Sequence, residues 1–187
     1  DSAWNETTIP GPVIARPRFR APDPAAVAEV AKALKAAERP VLLLGSGACG
    51  EAAIAAAGRI AASGVRVLTD TFTARQARGE GRFRPDKLPY FGEQALKDLD
   101  GVDLMVLAAT TAPVAFFAYP DRPSVLVPEG CETLTLTERT EDSVAGLVAL
   151  ADALGAPATG LSQPLKLPDT APAGPLTPQA CGVSIAR

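Results

Sequence analysis

Short apolar runs recur along the chain, separated by segments in which apolar residues have helical spacing. The run at 41–44 lacks polar alternation, which is typical of a parallel strand covered on both faces. Further parallel strands are predicted at 65–68 and 103–108. Two further short strands are predicted at 124–127 and 132–136. Strands that alternate with helices in this way predict a layered α/β domain with a mostly parallel sheet.

Capping signals and apolar spacing predict the helices. Asp23 caps the first helix and Pro24 occupies its first turn, where a missing N–H costs nothing. The expected buried face of this helix is formed by Val27, Val30, Ala31 and Leu34. The other helices are predicted at 51–62, 90–99, 140–154 and from residue 178 onward, with a long loop at 69–89. The side chains expected to point inward are Phe91, Ala95 and Leu99 at 90–99, and Val144, Leu147, Val148, Ala151 and Leu154 at 140–154.

A glycine pattern lies between the first two predicted strands. Gly45, Gly47 and Gly50 spell G-x-G-x-x-G between a strand and a helix, and Asp70 follows twenty residues later. Such glycines let a phosphate sit on N–H groups at a helix N-terminus, or let the helix turn back tightly onto its strand. Asp70 has two corresponding interpretations, a ligand for a ribose hydroxyl or a turn former. The sequence pattern is compatible with both alternatives.

Composition excludes several classes of function. A chain of 187 residues with 47% apolar content can form one buried domain plus tails. No apolar run approaches the roughly 20 residues of a membrane span. A net charge of -3, from 18 basic and 21 acidic side chains, argues against binding to nucleic acid or to a membrane surface. The chain has no histidine, which excludes Ser-His-Asp and Cys-His catalysis by this polypeptide alone.

The remaining chemically interesting side chains each have two interpretations. Cys49, at a predicted helix start, is a reactive thiol or, as we favour, a packed turn residue. The predicted loop contains four arginines, for which we consider two interpretations: a site for a phosphate-bearing ligand, or a surface that faces another domain. They are Arg75, Arg78, Arg82 and Arg84. Phe116, Phe117 and Tyr119 form a binding surface or, as we favour, buried contacts or part of a subunit interface. The three cysteines are far apart in sequence, which predicts a reducing, cytoplasmic setting.

Proline-rich segments flank the predicted domain. Residues 1–22 hold four prolines without periodicity, and six more lie between Pro157 and Pro178. We therefore predict an extended linker at 1–22, an α/β domain at 23–155 and a Pro-rich linker at 156–187 that leads towards a missing C-terminal domain. Because the chain also starts without methionine, we expect it to be the middle domain of something larger.

Several segments, taken in order, carry a family resemblance. They are DSAWNE at 1–6, RPVLLLGSGACG at 39–50, GVDLMVLAATTAPVAFFAYP at 101–120, the strand pair at 124–136 and the Pro-rich exit. Their order and spacing resemble the central domain of thiamine diphosphate-dependent decarboxylases and carboligases. Among these, the chain is most similar to acetolactate synthase large-subunit homologues and to benzoylformate decarboxylase.

This resemblance implies a three-layer, doubly wound, Rossmann-like fold with a mostly parallel six-stranded sheet. It also implies neighbouring N-terminal and C-terminal thiamine-binding domains, at whose junctions residues 1–6 and 176–187 would lie, and assembly into a homo-oligomer. In the family, the activating glutamate and the Gly-Asp-Gly magnesium motif belong to those neighbouring domains, and neither is present here. The resemblance therefore implies a non-catalytic central structural domain, with no catalytic or metal-binding residue of its own, in a parent enzyme that uses thiamine diphosphate and magnesium.

The resemblance also bears on FAD, which acetohydroxyacid synthases bind through this domain. The matching positions follow three predicted strands and are Gly45, Ser46, Gly47, Ala48, Asp70, Thr71, Ala109 and Thr110. Two segments depart from the flavin-binding pattern, LPYFGEQ at 88–94 and VLVPEGCE at 125–132. Benzoylformate decarboxylase uses the same domain without a flavin. We interpret the domain as structural, and the alternative is an FAD- or NAD-binding Rossmann-like module.

Overall fold

Parallel strands form the centre of the computed structural model, which describes residues 6, 9, 11–15, 18–118 and 120–186. The described residues contain five strands in one sheet: β1 Pro40–Leu44, β2 Arg66–Thr69, β3 Asp86–Lys87, β4 Leu104–Ala108 and β5 Glu132–Thr137. Their order across the sheet is β3-β2-β1-β4-β5, with every neighbouring pair parallel. The parallel α/β fold is thereby confirmed, but the expected count of six strands is wrong for the described chain.

Five α-helices lie before, between and after the strands of the described chain. They are α1 Pro24–Ala36, α2 Glu51–Ala62, α3 Gly92–Asp98, α4 Ser143–Leu154 and α5 Pro178–Ala186, and a short 3-10 turn occupies Ser46–Ala48. The side chain of Asp23 accepts a hydrogen bond from the backbone N–H of Ala25, as its predicted role as N-cap requires. The four predicted inward residues of α1 are all buried. Since α5 begins at Pro178, the predicted C-terminal helix is also confirmed.

The two faces of the sheet are both covered. Leu42 and Leu44 of β1 pack into one cluster together with residues of α1, α2 and α4. Val41 and Leu43 point the other way, into a second cluster with residues of α3 and the loop after β4. This alternation along a parallel strand, with apolar residues on both sides, produces the three layers expected from the sequence.

Two short segments differ from the prediction. Residues 124–127 do not join the sheet, because their hydrogen bonds go to the loop after β4: Ala115 donates to the Ser124 carbonyl at 2.7 Å and Leu126 to the Pro113 carbonyl at 3.0 Å. They form only an isolated antiparallel bridge, between Val114 and Val125. Conversely, β3 lies inside the predicted loop, where two exposed polar residues give no strand signal.

Helices α3 and α4 differ from the prediction in three respects. Phe91 is the N-cap residue of α3 rather than part of its inward face, and its side chain is 51% exposed. The fourth helix begins at Ser143, not Thr140, because Asp142 caps it by accepting from two backbone N–H groups. Its buried face is rotated towards Leu147, Leu150 and Ala151, which leaves Val148 exposed.

Backbone hydrogen bonds tie both flanking segments to the domain. Arg20 donates through its N–H to the Thr140 carbonyl at 3.1 Å, and the Asp142 N–H donates to the Arg20 carbonyl at 2.8 Å. On the other side, the N–H of Leu161 donates to Gly58 of α2 at 3.0 Å. The described contacts thus extend beyond residues 23–155, and the division at 22 and 155 stays a prediction. No described helix is both long enough and apolar enough to cross a bilayer.

Asp103 supports the junction between α1 and β1. Its carboxylate accepts from the N–H of Glu38 at 2.7 Å and from that of Arg39 at 2.9 Å. These donors, Glu38 first, hold the pKa of Asp103 below its ordinary value of 3.8. Because the folded-state pKa is the lower one, the carboxylate stabilises the fold above about pH 4, and this contribution is lost as pH falls through the folded value.

We therefore expect Asp103→Asn to flatten the acid limb of the stability profile. In urea unfolding at a series of pH values, the free energy of unfolding of the unmodified chain should fall more steeply below about pH 4 than that of the variant. Glu129→Gln, at an exposed turn residue, is the matched control and should retain the steep limb. Parallel acid limbs for the unmodified chain and Asp103→Asn would exclude this role.

Candidate functional site

A cleft lies where the strand order reverses, at the carboxyl ends of β1 and β4. In open α/β sheets, ligands bind at this position. The cleft has a volume of about 300 Å³ and brings together six of the eight predicted site residues. Its lining consists of Gly45, Ser46, Gly47, Asp70, Phe72, Ala109, Thr110 and Arg139. The spacing of the glycines and Asp70 in the sequence thus corresponds to real proximity in the structure.

Two predicted residues do not line this cleft. Ala48 is completely buried beneath the turn after β1. Thr71 lines a neighbouring cavity of about 200 Å³, and its hydroxyl donates to the Leu88 carbonyl at 3.2 Å. Neither side chain therefore faces the cleft itself.

Gly45 is closely packed against the end of β4. Its N–H donates to the Ala108 carbonyl at 2.9 Å. A Cβ at Gly45 would lie 2.8 Å from the Ala109 carbonyl carbon and 2.9 Å from Cβ of Thr110. Ala109 itself has φ 54°, a left-handed conformation that non-glycine residues adopt at a cost of about 1–3 kcal/mol. The glycine is required here for the approach of one backbone to another.

The helix N-terminus does not reach the cleft. In a dinucleotide-binding turn, the pyrophosphate sits on the first N–H groups of the helix. Here the 3-10 turn and Cys49 come between Gly45 and α2, so Gly50 and Glu51 are not part of the cleft lining. The helix also begins with the Glu51 carboxylate, 2.8 Å from the guanidinium of Arg82. A negative charge at this helix end disfavours the binding of a phosphate there.

Polar side chains in the cleft are already hydrogen-bonded within the protein. The Thr110 hydroxyl donates to Oδ2 of Asp70 at 2.8 Å and thereby joins the ends of β4 and β2. Oγ of Ser46 accepts from the N–H of Ala74 at 3.0 Å. Asp70, the candidate ligand for a ribose hydroxyl, thus already connects the end of β2 to the end of β4. This contact agrees with a structural role for Asp70.

Cys49 is packed, as we favoured from the sequence. Its side chain is 0% exposed, and its thiol donates to the Gly45 carbonyl at 3.2 Å. Burial, and secondarily the charge of Asp70, raises the pKa of Cys49 to about 11. A thiol in this state is a poor nucleophile at neutral pH.

Alkylation is expected to distinguish the cysteines. With iodoacetamide at about pH 8, Cys49 should react at least about tenfold more slowly than Cys181, which is partly exposed, as followed by peptide mass spectrometry. The difference should vanish in denaturant, where burial is lost. Equal rates in the native chain would show that Cys49 is accessible.

Two cleft residues were missed by the sequence reasoning. Arg139 follows β5, and a nitrogen of its guanidinium lies 3.5 Å from the hydroxyl of Thr111. Phe72 follows β2 by three residues and lines both the cleft and the neighbouring cavity. The rule that the carboxyl ends of parallel strands meet at one edge could have found both.

The predicted arginine group does not converge on the cleft. Arg82 is paired with Glu51, and none of the four arginines is among the lining residues. Arg84 lines a separate surface cavity beside Lys166. The structure therefore does not bring these arginines together as a phosphate site at the switch point.

The aromatic segment is exposed. Phe116 is 60% and Phe117 44% exposed, so the expectation of buried contacts is wrong for these two residues. The alternative of a subunit interface stays open. Tyr119 lies outside the described residues.

Within the described ranges, no group of His, Cys, Asp or Glu side chains is arranged to hold a metal ion. The described residues thus do not fit the magnesium that thiamine diphosphate requires in the family. A flavin in the cleft could contact backbone groups and the guanidinium of Arg139. However, Gly45 of the glycine turn is packed against the end of β4. The first turn of α2, which follows, also carries the acidic residue Glu51.

Comparison with known proteins shows what this fold is similar to. No protein-family model matches the chain. The Mycobacterium tuberculosis (strain ATCC 25618 / H37Rv) protein IlvX, which is named for an acetolactate synthase large subunit, is 41% identical over 153 residues, 79% of this chain and 30% of that protein. The chain therefore spans less than a third of this curated relative.

Two solved structures share the fold. One is benzoylformate decarboxylase from Polynucleobacter necessarius, with a TM-score of 0.59, 24% identity, and coverage of 94% of this chain and 36% of that one. The other is a thiamine diphosphate-dependent 4-hydroxybenzoylformate decarboxylase from Rhodococcus jostii RHA1, with a TM-score of 0.59, 21% identity, and coverage of 86% and 33%. The resemblance inferred from the sequence is confirmed: the chain is related to part of an acetolactate synthase large-subunit-like protein and has the fold found in thiamine diphosphate-dependent decarboxylases.

Proposed function

We propose that the chain is the non-catalytic central structural domain of a thiamine diphosphate-dependent 2-keto acid decarboxylase or carboligase. The observation that carries this proposal is the match to IlvX, in which most of this chain corresponds to less than a third of the relative. In the proposed parent enzyme, neighbouring N-terminal and C-terminal domains supply the thiamine- and magnesium-binding residues. The parent would be a cytoplasmic transferase or lyase assembled from several copies.

The internal contacts of the cleft support a structural role. Gly45, Ser46 and Asp70 each make a hydrogen bond that holds one loop against another. These bonds connect the ends of β1, β2 and β4 through atoms of the chain itself. The domain would thus hold its neighbours in position as a preorganised platform.

A second candidate function is an FAD- or NAD-binding module. The cleft of about 300 Å³ at the switch point, with Asp70 and Arg139 in its lining, favours it. Against it stand the acidic start of α2 and the distance of that helix end from the cleft lining.

Calorimetric titration of the chain with FAD, NAD and NADP separates the two functions. We expect no saturable binding up to about 1 mM, which corresponds to less than about 4 kcal/mol of binding free energy. Saturable binding that is lost in Asp70→Asn and retained in the control Glu80→Gln, an exposed loop residue outside the cleft, would replace the structural role by the nucleotide-binding one.

A further inference from the structure

The cleft at the ends of β1 and β4 adjoins the neighbouring cavity. Asp70 and Phe72 line both spaces, so they mark the junction between the cleft of about 300 Å³ and the cavity of about 200 Å³. Arg139 lines only the cleft, whereas Tyr90 and Phe116 line only the cavity. The two spaces together thus have a cation at one end, a carboxylate at the junction and aromatic rings at the other end.

Two opposite charges lie close to each other here without pairing. Oδ2 of Asp70 accepts from the Thr110 hydroxyl at 2.8 Å, which leaves Oδ1 for a further donor. A guanidinium nitrogen of Arg139 lies 3.5 Å from the hydroxyl of Thr111, the residue after Thr110. In the part of the chain that the structure describes, neither Asp70 nor Arg139 belongs to an ion pair. The protein therefore presents one acceptor and one cation to the same small space.

The neighbouring cavity is suited to a hydrocarbon ring. Phe72, Tyr90 and Phe116 contact one another, with ring centroids 5.1 to 5.8 Å apart, and supply aromatic contacts. The Thr71 hydroxyl in the lining already donates to the Leu88 carbonyl at 3.2 Å. A hydrocarbon ring needs no hydrogen bond, whereas the ring nitrogens of a nucleotide base would lose their bonds with water where this donor is already engaged. Because an apolar cavity of about 150 Å³ holds benzene, this one has room for a phenyl ring.

An aromatic α-amino acid carries the three groups that this arrangement matches, in the same order. Its carboxylate would pair with the guanidinium of Arg139 in the cleft, and its ammonium would donate to Asp70 at the junction. Its ring would enter the cavity against Phe116. Carboxylate and ammonium are attached to the same carbon, which suits two protein charges that are near each other but unpaired. An aromatic acid without an amino group would leave Asp70 unmatched, and an aromatic amine would leave Arg139 unmatched.

We infer that the cleft and the neighbouring cavity together bind a zwitterionic α-amino acid with an aromatic side chain. This inference goes beyond the proposed function, because the ligand contacts only residues of this chain and takes part in no reaction. It differs from the nucleotide-binding alternative in the class of ligand. The bound amino acid would connect the segments after β2, β4 and β5, so it should raise the temperature of unfolding.

Calorimetric titration of the full chain with L-phenylalanine tests the inference. We expect saturable binding with a Kd below about 1 mM. Three analogues each lack one group: phenylpropanoate has no ammonium, phenethylamine has no carboxylate and L-alanine has no ring. Each should bind at least about fivefold more weakly than L-phenylalanine, because one end of the site is then left unmatched.

Substitution of the two charged residues gives an independent test. Arg139→Gln and Asp70→Asn should each weaken the binding of L-phenylalanine at least about fivefold, since each removes one charged partner. Arg78→Gln, at an exposed arginine that lines neither space, is the matched control and should leave the Kd unchanged. Circular dichroism shows whether each variant is folded, which is expected because Arg139 is exposed and an asparagine at position 70 can still accept from Thr110.

Three results would each overturn the inference. The first is a lack of saturation by L-phenylalanine below about 1 mM. The second is equally tight binding of phenylpropanoate, which would mean that the ammonium group has no partner. The third is unchanged affinity in Arg139→Gln and Asp70→Asn, or an equal loss in Arg78→Gln. None of these results concerns FAD, NAD or NADP, so failure here is distinguishable from failure of the proposed function.

Discussion

Gly45→Ala is expected to destabilise the chain by at least about 3 kcal/mol. The added Cβ would come within 2.8 Å of the Ala109 carbonyl carbon and 2.9 Å of Cβ of Thr110. The first of these atoms is backbone, in a residue with φ 54°, and has little freedom to move away. Urea unfolding followed by circular dichroism measures the effect.

Gly50→Ala is the matched control within the same glycine pattern. A Cβ at Gly50 meets nothing within 4 Å, and its φ of -71° is ordinary for any residue. As an N-cap substitution it should cost no more than about 1 kcal/mol. Comparable losses in Gly45→Ala and Gly50→Ala would contradict the conclusion that Gly45 is required for packing against β4.

Gly58→Ala is expected to destabilise the chain by about 2 kcal/mol, although alanine is the better helix former by about 1 kcal/mol. Gly58 lies inside α2, where the segment after α4 crosses the helix. A Cβ there would lie 2.8 Å from the Leu161 carbonyl oxygen and 2.9 Å from Cβ of Phe83. It would also push away the N–H of Leu161, which donates to the Gly58 carbonyl.

Gly182→Ala provides the comparison for helix propensity. This glycine lies in α5, and a Cβ there meets nothing within 4 Å. Its substitution should be neutral or slightly stabilising in the same urea experiment. A stabilising Gly58→Ala would mean that the crossing segment does not constrain α2.

The sequence predicted the elements whose signals are local. α1 has its cap and its apolar spacing within one segment, and β1 and β4 are apolar runs of strand length. β3 could not be found, because its two residues are polar and exposed and are ordered only by pairing with β2. Residues 124–127 have strand-like composition, but their partner is the loop after β4, which composition does not reveal.

The candidate site was predictable in its position but not in its chemistry. The ends of β1, β2 and β4 meet because parallel strands share an edge, so residues spaced like Gly45, Asp70 and Ala109 converge. Whether the glycine turn is open or closed depends on its contact with Ala109, 64 residues away in sequence. No local pattern contains that information, and only the structure shows that Thr110 already occupies one oxygen of Asp70.

The central claim is that this chain is the middle domain of a larger thiamine diphosphate-dependent enzyme. The most direct measurement is the sequence of the complete coding region around the segment that encodes residues 1–187. We expect a pyrimidine-binding domain upstream and a diphosphate-binding domain with a Gly-Asp-Gly motif downstream, in the same reading frame. A start codon directly before Asp1 and a stop codon directly after Arg187 would contradict the claim.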